Sequence, residues 1–366
     1  MATKKIIISG GGSGGHIFPA IAIANALRES DKNIEILFIG ALGKIEMEKV
    51  PKAGYPIEGL WISGLHRGEI VRNLLFPFKL LSSLWKAFRL IGRFQPDIVI
   101  GVGGFASGPT LEVASRRGIP TLIQEQNSYP GLTNRLLAKR VRKICVAYEG
   151  MDKYFPADRI VMTGNPVRQD IQISDAKRAE AAAHFGLDAD KPTILIFGGS
   201  LGAKAFNESM TANAEGLKAR PDVQVLWQAG KLYYEQYKNC ETAQLPNVEI
   251  RAFLDRMDLA YSLAGVVICR AGALTIAELC LLGRAAVLIP SPNVAEDHQT
   301  YNARALVDKG AAVLVKDSAA KEKMIPAAIE ILENPEKRAD LEARVKGLEQ
   351  RDAATKIAAE VMKLLK

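Results

Sequence analysis

Short, continuous apolar runs recur along the chain at Ile6–Ile8, Ile34–Ile39, Ile98–Ile100, Thr121–Ile123, Ile144–Ala147, Ile194–Phe197, Val223–Trp227, Val266–Cys269 and Ala286–Ile289. They are rich in β-branched residues, and several end in Gly, Pro or Ser. That pattern predicts strands buried on both faces, as in parallel sheets. Helix-length segments such as Pro19–Ser30 and Thr275–Leu282 lie between the runs, and Ala353–Lys366 reads as an amphipathic helix. Alternation of strand and helix predicts a doubly wound α/β architecture.

The chain also echoes itself. Ile6-Ile7-Ile8-Ser9 runs into Gly10-Gly11-Gly12-Ser13-Gly14-Gly15, and Thr193–Phe197 runs into Gly198-Gly199-Ser200-Leu201-Gly202; Ser13 and Ser200 stand 187 residues apart. One strand-to-glycine-loop unit per half predicts two Rossmann-like, doubly wound parallel-sheet domains facing a central cleft, with ligands at the carboxyl ends of the strands. The Asn165-Pro166 pair disfavours helix at the join. The expected domains are 1–165 and 166–345, with a C-terminal helical segment, 346–366, packing back toward the first.

Composition narrows the setting. With 366 residues, 48% hydrophobic and 24% charged, the chain is long enough for two cores and too apolar for disorder. The net charge of +8 suits an anionic partner: nucleotide phosphates, nucleic acid or an acidic membrane surface. Cys145, Cys240, Cys269 and Cys280 form no CxxC pair and read as reduced core thiols. The apolar run after the basic start is too short for a signal peptide. No stretch of about 18 uncharged apolar residues is present to span a membrane.

Gly10, Gly12 and Gly15 spell GxGxxG, a weak sign of a dinucleotide site. Such a site also needs an acid at the tip of the second strand, where Ile39-Gly40-Ala41-Leu42-Gly43 offers none. His16 in place of Lys-Ser or Lys-Thr excludes a Walker A loop. What remains is a loop of backbone amides opening a helix, suited to oxyanions or to close sugar approach. His16 stands at that helix N-terminus, which disfavours imidazolium, and neutral imidazole is the form a general base requires. The bland alternative is a histidine satisfying the loop's own hydrogen bonds.

Further strand ends carry polar groups. Gly101-Val102-Gly103-Gly104-Phe105 and Gln124-Glu125-Gln126-Asn127 point to a polyhydroxyl ligand, or are ordinary turns. In the second half, Arg270-Ala271-Gly272 leads into a helix starting near Ala273, whose positive end would suit a pyrophosphate. Glu278, one turn in, could accept from both ribose hydroxyls, or could be a plain helix acid. Asp188-Ala189-Asp190 spells a metal-binding motif but precedes a strand, so it reads as turn chemistry. No cluster has convincing metal-ligand spacing.

In Val71–Phe94, Leu74, Phe78, Leu81, Trp85 and Phe88 recur at helical spacing, and Arg72, Lys79, Lys86 and Arg93 recur every seven residues. Pro77 suggests two helices or a kink. Aromatic surface beside cations suits an anionic bilayer face; the alternative is a helix packed on its own domain.

Taken together, these segments resemble one family. They are Gly11–Pro19, Gly103–Pro109, Gln124–Asn127 with Pro130–Asn134, Gly164–Arg168, Gly198–Ala203, Arg270–Thr275 with Glu278, and Asp297-His298-Gln299 with Asn302-Ala303. The chain is similar to the GT-B glycosyltransferases that carry N-acetylglucosamine from UDP to lipid-linked muramoyl pentapeptide, the MurG family. The resemblance implies an inverting transfer to the muramoyl 4-hydroxyl (lipid I to lipid II) in peptidoglycan synthesis, with no cofactor and no essential metal. It implies His16 as base and a donor site of Arg168, Ser200, Leu254, Ala273, Leu274, Thr275, Glu278 and Gln299. Ser13, Gly14, Gly15 and Asn127 would lie on the catalytic side and complete the donor site. Gly103, Gly104, Glu125, Gln126 and Asn134 would face the acceptor. Leu74, Leu75, Phe78, Lys79, Leu81, Trp85, Lys86 and Phe88 match the membrane patch in place and character. The implied partners are UDP-N-acetylglucosamine, undecaprenyl-linked muramoyl pentapeptide and an anionic membrane, not nucleic acid. The implied location is peripheral, on the cytoplasmic face of the bacterial inner membrane. Many relatives carry Ser where Ala271 stands, and the spacing before Asp297 varies. A UDP-N-acetylglucosamine 2-epimerase, a GT-B transferase with another acceptor, and a non-catalytic polyanion binder remain as alternatives; incubation with UDP-N-acetylglucosamine alone separates the first.

Overall fold

Every strand pairing in the structure, a computed structural model describing residues 3–64, 74–167, 171 and 173–365, is parallel. Contacts divide the chain into two units: Met1–Val167 with Gln350–Lys366, and Arg168–Glu349.

In the first unit, β1 (Lys4–Ser9), β2 (Ile34–Ala41), β3 (Ile57–Leu60), β4 (Ile98–Gly101), β5 (Thr121–Glu125), β6 (Lys143–Val146) and β7 (Ile160–Met162) form one sheet in the order β3-β2-β1-β4-β5-β6-β7. Alternation along β1 sends Ile6 and Ile8 into the core on one face and Ile7 into the core on the other. The helix Gly14–Ser30 covers the first of these faces. The helix Ala353–Leu364 packs beside it, burying Ala354, Ile357, Ala358 and Val361 at helical spacing.

The second unit's sheet runs β10-β9-β8-β11-β12-β13. Its strands are β8 (Thr193–Phe197), β9 (Gln224–Gln228), β10 (Val248–Arg251), β11 (Val266–Cys269), β12 (Ala286–Leu288) and β13 (Val313–Leu314). In each sheet the direction of winding reverses once, between β1 and β4 and between β8 and β11. Flanking loops diverge at such a reversal and leave a crevice beyond the strand ends, the usual ligand position in this architecture. The four loops leaving those strands are the Gly10–Gly15, Val102–Phe105, Gly198–Gly202 and Arg270–Gly272 segments.

All nine apolar runs are strands. The segments that the apolar pattern missed, β3, β7, β10 and β13, are the four sheet edges. One side of an edge strand meets solvent, and β3 and β10 accordingly mix Glu58, Glu249 and Arg251 into the run, while β7 and β13, three and two residues long, are too short to show as one. Residues 71–73 lie outside the described residues; from Phe76 one helix runs to Phe94 with Pro77 in its first turn, where a missing N–H costs nothing.

Candidate active site

In the first unit the two glycine loops at the winding reversal lie backbone to backbone, with the Gly11 amide donating to the Gly103 carbonyl at 3.3 Å. Gly103 has φ +88°, and a Cβ there would come within 2.9 Å of the His16 ring. Glycine at 103 therefore lets the imidazole lie directly against the main chain. His16 occupies the first turn of the helix, with Nδ1 3.0 Å from Gln126 Oε1. Burial lowers its pKa below the usual 6.5, outweighing the raising effects of Gln126, the Val102 backbone and Glu46. Desolvation thus adds to the helix end in keeping the ring neutral. Ser13 and Gly15 are exposed beside it, and Gly14 is half-buried.

Glu46 is a residue that the sequence did not single out. Its carboxylate is completely buried, accepting from the Gly12 amide at 2.9 Å and the Ala41 amide at 3.0 Å. Gly11 makes room for it: at φ +139°, a Cβ would fall 2.1 Å from Glu46 Oε1. The protein's own acid thus sits where a phosphate would have to be cradled. Glu46 thereby takes one amide of the first glycine loop, that of Gly12, and places a carboxylate beneath it. Burial of an acid in the helix after β2 leaves no pattern in the sequence.

The end of β5 is a polar knot. Glu125, 1% exposed, accepts from the Asn127 amide (3.0 Å), Asn127 Nδ2 (3.2 Å), the Gly131 amide (3.1 Å) and Asn134 Nδ2 (2.8 Å). Desolvation raises its pKa against those bonds. Glu125 and buried Asn134 therefore shape the loop, while Asn127 keeps part of its surface accessible. Gly103 is buried under His16. Gly104 is half-buried at φ +84°, where a Cβ would meet the Gly11 carbonyl oxygen at 2.0 Å.

The second unit holds a cavity of about 530 Å³ at its own winding reversal, lined by Gly198, Gly199, Arg270, Gly272, Thr275 and Gln299 among others. The helix Ala273–Leu282 opens there with Gly272 as its cap and no side-chain capping bond. Ser200 is exposed on the glycine loop, and Leu274 is half-buried in the first turn beside buried Ala273. Gln299 Oε1 accepts from the Ser291 amide at 2.8 Å, which orients that side chain. Glu278 Oε2 accepts from Tyr261 Oη at 2.9 Å, and Tyr261 is fully buried. Leu254 is buried, with its amide donating to Gln228 Oε1 at 3.0 Å, while Gln228 Nε2 donates to the Gly199 carbonyl at 2.9 Å. Gln228, the last residue of β9, thus ties the Gly198–Gly202 loop to the segment after β10, a link invisible in sequence because both partners are distant along the chain. The Arg270 guanidinium is matched internally: it pairs with Asp317 at 2.5 Å, donates to the Ile289 and Pro290 carbonyls and stacks 4.7 Å over Phe206. Asp188 and Asp190 close a turn, the Asp190 amide donating to Asp188 Oδ1 at 2.9 Å. Arg168 and Arg72 lie outside the described residues.

Residues 6–146 match the glycosyltransferase family 28 N-terminal domain, and residues 193–359 match the glycosyltransferase family 28 C-terminal domain. The chain belongs to glycosyltransferase family 28. This family 28 chain is 52% identical over 365 residues to a Flavobacterium psychrophilum protein, covering 100% of the chain and 99% of that relative. A Parabacteroides distasonis protein is also 52% identical, over 366 residues, with 100% and 99% covered. Both bear the name UDP-N-acetylglucosamine–N-acetylmuramyl-(pentapeptide) pyrophosphoryl-undecaprenol N-acetylglucosamine transferase. The crystal structure of Acinetobacter baumannii MurG superimposes with a TM-score of 0.80 at 32% identity, covering 98% of this chain and 99% of that one. The family 28 chain is thus a glycosyltransferase, on the GT-B fold of that neighbour.

One further surface of the family 28 chain stands out. On the helix Phe76–Phe94, Ser83, Ala87, Leu90 and Ile91 face the core, while Phe78 (65% exposed), Leu81 (65%), Trp85 (61%) and Phe88 (55%) line the outer side, with Leu74 and Leu75 exposed just before it. The helix thus carries apolar side chains on both sides, Leu90 and Ile91 in the core and four large ones on the outer side, where an ordinary surface helix is polar. The cations are not arranged as one free stripe. Lys79 reaches Ser63, Lys86 reaches the Gly59 carbonyl and Glu58, and Arg93 pairs with Glu58. The cations against the apolar side are instead Arg89, 4.9 Å over Trp85, and Arg117, 4.8 Å over Phe88. Among the described residues, no helix is long and apolar enough to cross a membrane.

Proposed function

We propose that the chain transfers N-acetylglucosamine from UDP-N-acetylglucosamine to the 4-hydroxyl of lipid-linked N-acetylmuramoyl pentapeptide in one inverting displacement, with His16 as the general base. The observation that carries this reading is the contrast between the two glycine loops. The first has its amide filled by Glu46 and lies beside a neutral histidine, so it suits a sugar alcohol. The second opens on a cavity at a helix N-terminus, so it suits a diphosphate.

The muramoyl hydroxyl attacks the anomeric carbon, the bond to UDP breaks on the opposite side, and the hydroxyl proton passes to His16 as the new bond forms. Charge developing on the leaving UDP is met by the Gly198–Gly202 loop, with Ser200, and by the helix end at Ala273, Leu274 and Thr275. Glu278 takes the ribose hydroxyls, and Arg168, Leu254 and Gln299 complete the donor site. In the first unit, Ser13, Gly14, Gly15 and Asn127 stand around the reacting centre. The decisive experiment is transfer of radiolabelled N-acetylglucosamine to lipid-linked muramoyl pentapeptide. Labelled lipid is the expected product; epimerised UDP-sugar without acceptor turnover would replace the reading.

The outer side of the helix Phe76–Phe94 is the membrane face, and it makes the enzyme a peripheral protein of the cytoplasmic leaflet, where its lipid-bound acceptor resides. Large apolar side chains contribute roughly 1.5–3 kcal/mol each on leaving water. The double variant Phe78→Ser with Trp85→Ser is therefore expected to lower partition onto phosphatidylglycerol vesicles by about 10²-fold, while turnover of a water-soluble acceptor analogue is retained. Unchanged co-sedimentation with vesicles would remove this helix from membrane binding.

A further inference from the structure

Resting on the reading of His16 as the base, we infer that Gln126 is a positioning residue that fixes the tautomer of His16, leaving Nε2 as the atom that accepts the proton.

Gln126 is 1% exposed, so its side chain answers only to the protein around it. Its Nε2 lies 2.9 Å from the Val102 carbonyl and 3.3 Å from the Gln124 carbonyl. Backbone carbonyls have no proton to give, so the amide nitrogen must face them and Oε1 must face His16. An amide oxygen has no proton either. The hydrogen in the 3.0 Å contact therefore belongs to His16 Nδ1. A neutral imidazole with its proton on Nδ1 has its lone pair on Nε2.

The far end of the network gives the same orientation independently. Asn165 Nδ2 donates to the Gln126 carbonyl at 2.9 Å, which turns Asn165 Oδ1 toward Gln124 Nε2 at 3.0 Å. Gln124 Oε1 is then left to accept from Gln126 Nε2. Three buried side-chain amides, read from either end, agree on one arrangement, and both ends rest on main-chain carbonyls. Gln126 thus acts through His16, and its burial separates it from the acceptor contacts that the family resemblance implied.

The test is two-dimensional ¹⁵N–¹H correlation of the histidine rings in uniformly labelled native enzyme near neutral pH, the His16 signals being assigned by their loss in His16→Ala. The expected result is a protonated-type Nδ1 and an unprotonated-type Nε2; the opposite pattern overturns the inference. Gln126→Glu, which still presents an oxygen to Nδ1, is expected to keep that pattern. Gln126→Leu is expected to lose it and to lower kcat about 10- to 100-fold at unchanged donor KM. The double variant with His16→Ala should be no slower than His16→Ala alone. A native pattern persisting in Gln126→Leu overturns the inference. Normal turnover in His16→Ala would instead sink the base assignment while the tautomer result stood, so the two failures are distinguishable.

Discussion

Replacing His16 with alanine is expected to lower kcat by about 10²–10⁴-fold, the usual consequence of removing a general base, with the dissociation constant for UDP-N-acetylglucosamine close to native. The structure supports so selective an outcome. The ring lies in the first unit against Gly103, and the nucleotide contacts proposed above are concentrated on β8, β11 and the helix Ala273–Leu282 of the second. The pH profile supplies a companion measurement. Burial lowers the His16 pKa, and the base works only when deprotonated, so activity should fall as pH drops through that lowered value. The acid limb of kcat/KM is therefore expected below 6.5 and absent from His16→Ala. An acid limb that survives in the variant, or turnover close to native, would assign proton removal to another group.

Glu278→Ala is expected to raise the donor dissociation constant by about 10²-fold, with a loss of thermal stability as well, because the fully buried Tyr261 hydroxyl loses its acceptor. Hydrogen bonds to a charged acceptor contribute about 1.5–3 kcal/mol each, and two ribose hydroxyls could use this carboxylate. Buried Tyr261 donates to Oε2 and so fixes the direction in which the carboxylate points. Its phenol pKa is raised by burial and by Glu278, so it stays a donor through the working pH range. Titration calorimetry with UDP measures the change directly. An affinity for UDP equal to native would take Glu278 out of the nucleotide site.

The two predictions rest on residues that differ in how far local sequence shows their role. His16 was legible because it follows a run of glycines at a strand end, and Glu278 because it stands one turn inside a helix that a strand-end turn introduces. Each signal is contiguous. Glu46 has no such signal. It is an acid in a short polar helix, and only the approach of Gly11 and Gly12 converts it into the counterpart of a bound phosphate. Gln126 and Gln228 are similar cases. Gln126 read only as part of a polar strand end and Gln228 was not singled out, whereas their partners, His16 at 110 residues' separation and Leu254 at 26, exist only after folding.

The chain's own pattern determined the fold class, because strands buried on both faces must be apolar throughout and the loops leaving them must turn on glycine. It determined the two-fold repeat of that pattern, and with it the placing of the two glycine loops on separate strand ends. Tertiary structure alone decided which strands became edges, since short apolar segments such as Ile160–Met162 and Val313–Leu314 become strands only by pairing with a neighbour. It alone decided that an internal carboxylate takes an amide of one glycine loop while the other loop opens on a cavity, and that Gln126 stands against Nδ1 of His16. Those outcomes depend on atoms brought together across long stretches of chain, and no local run of residues encodes a distance.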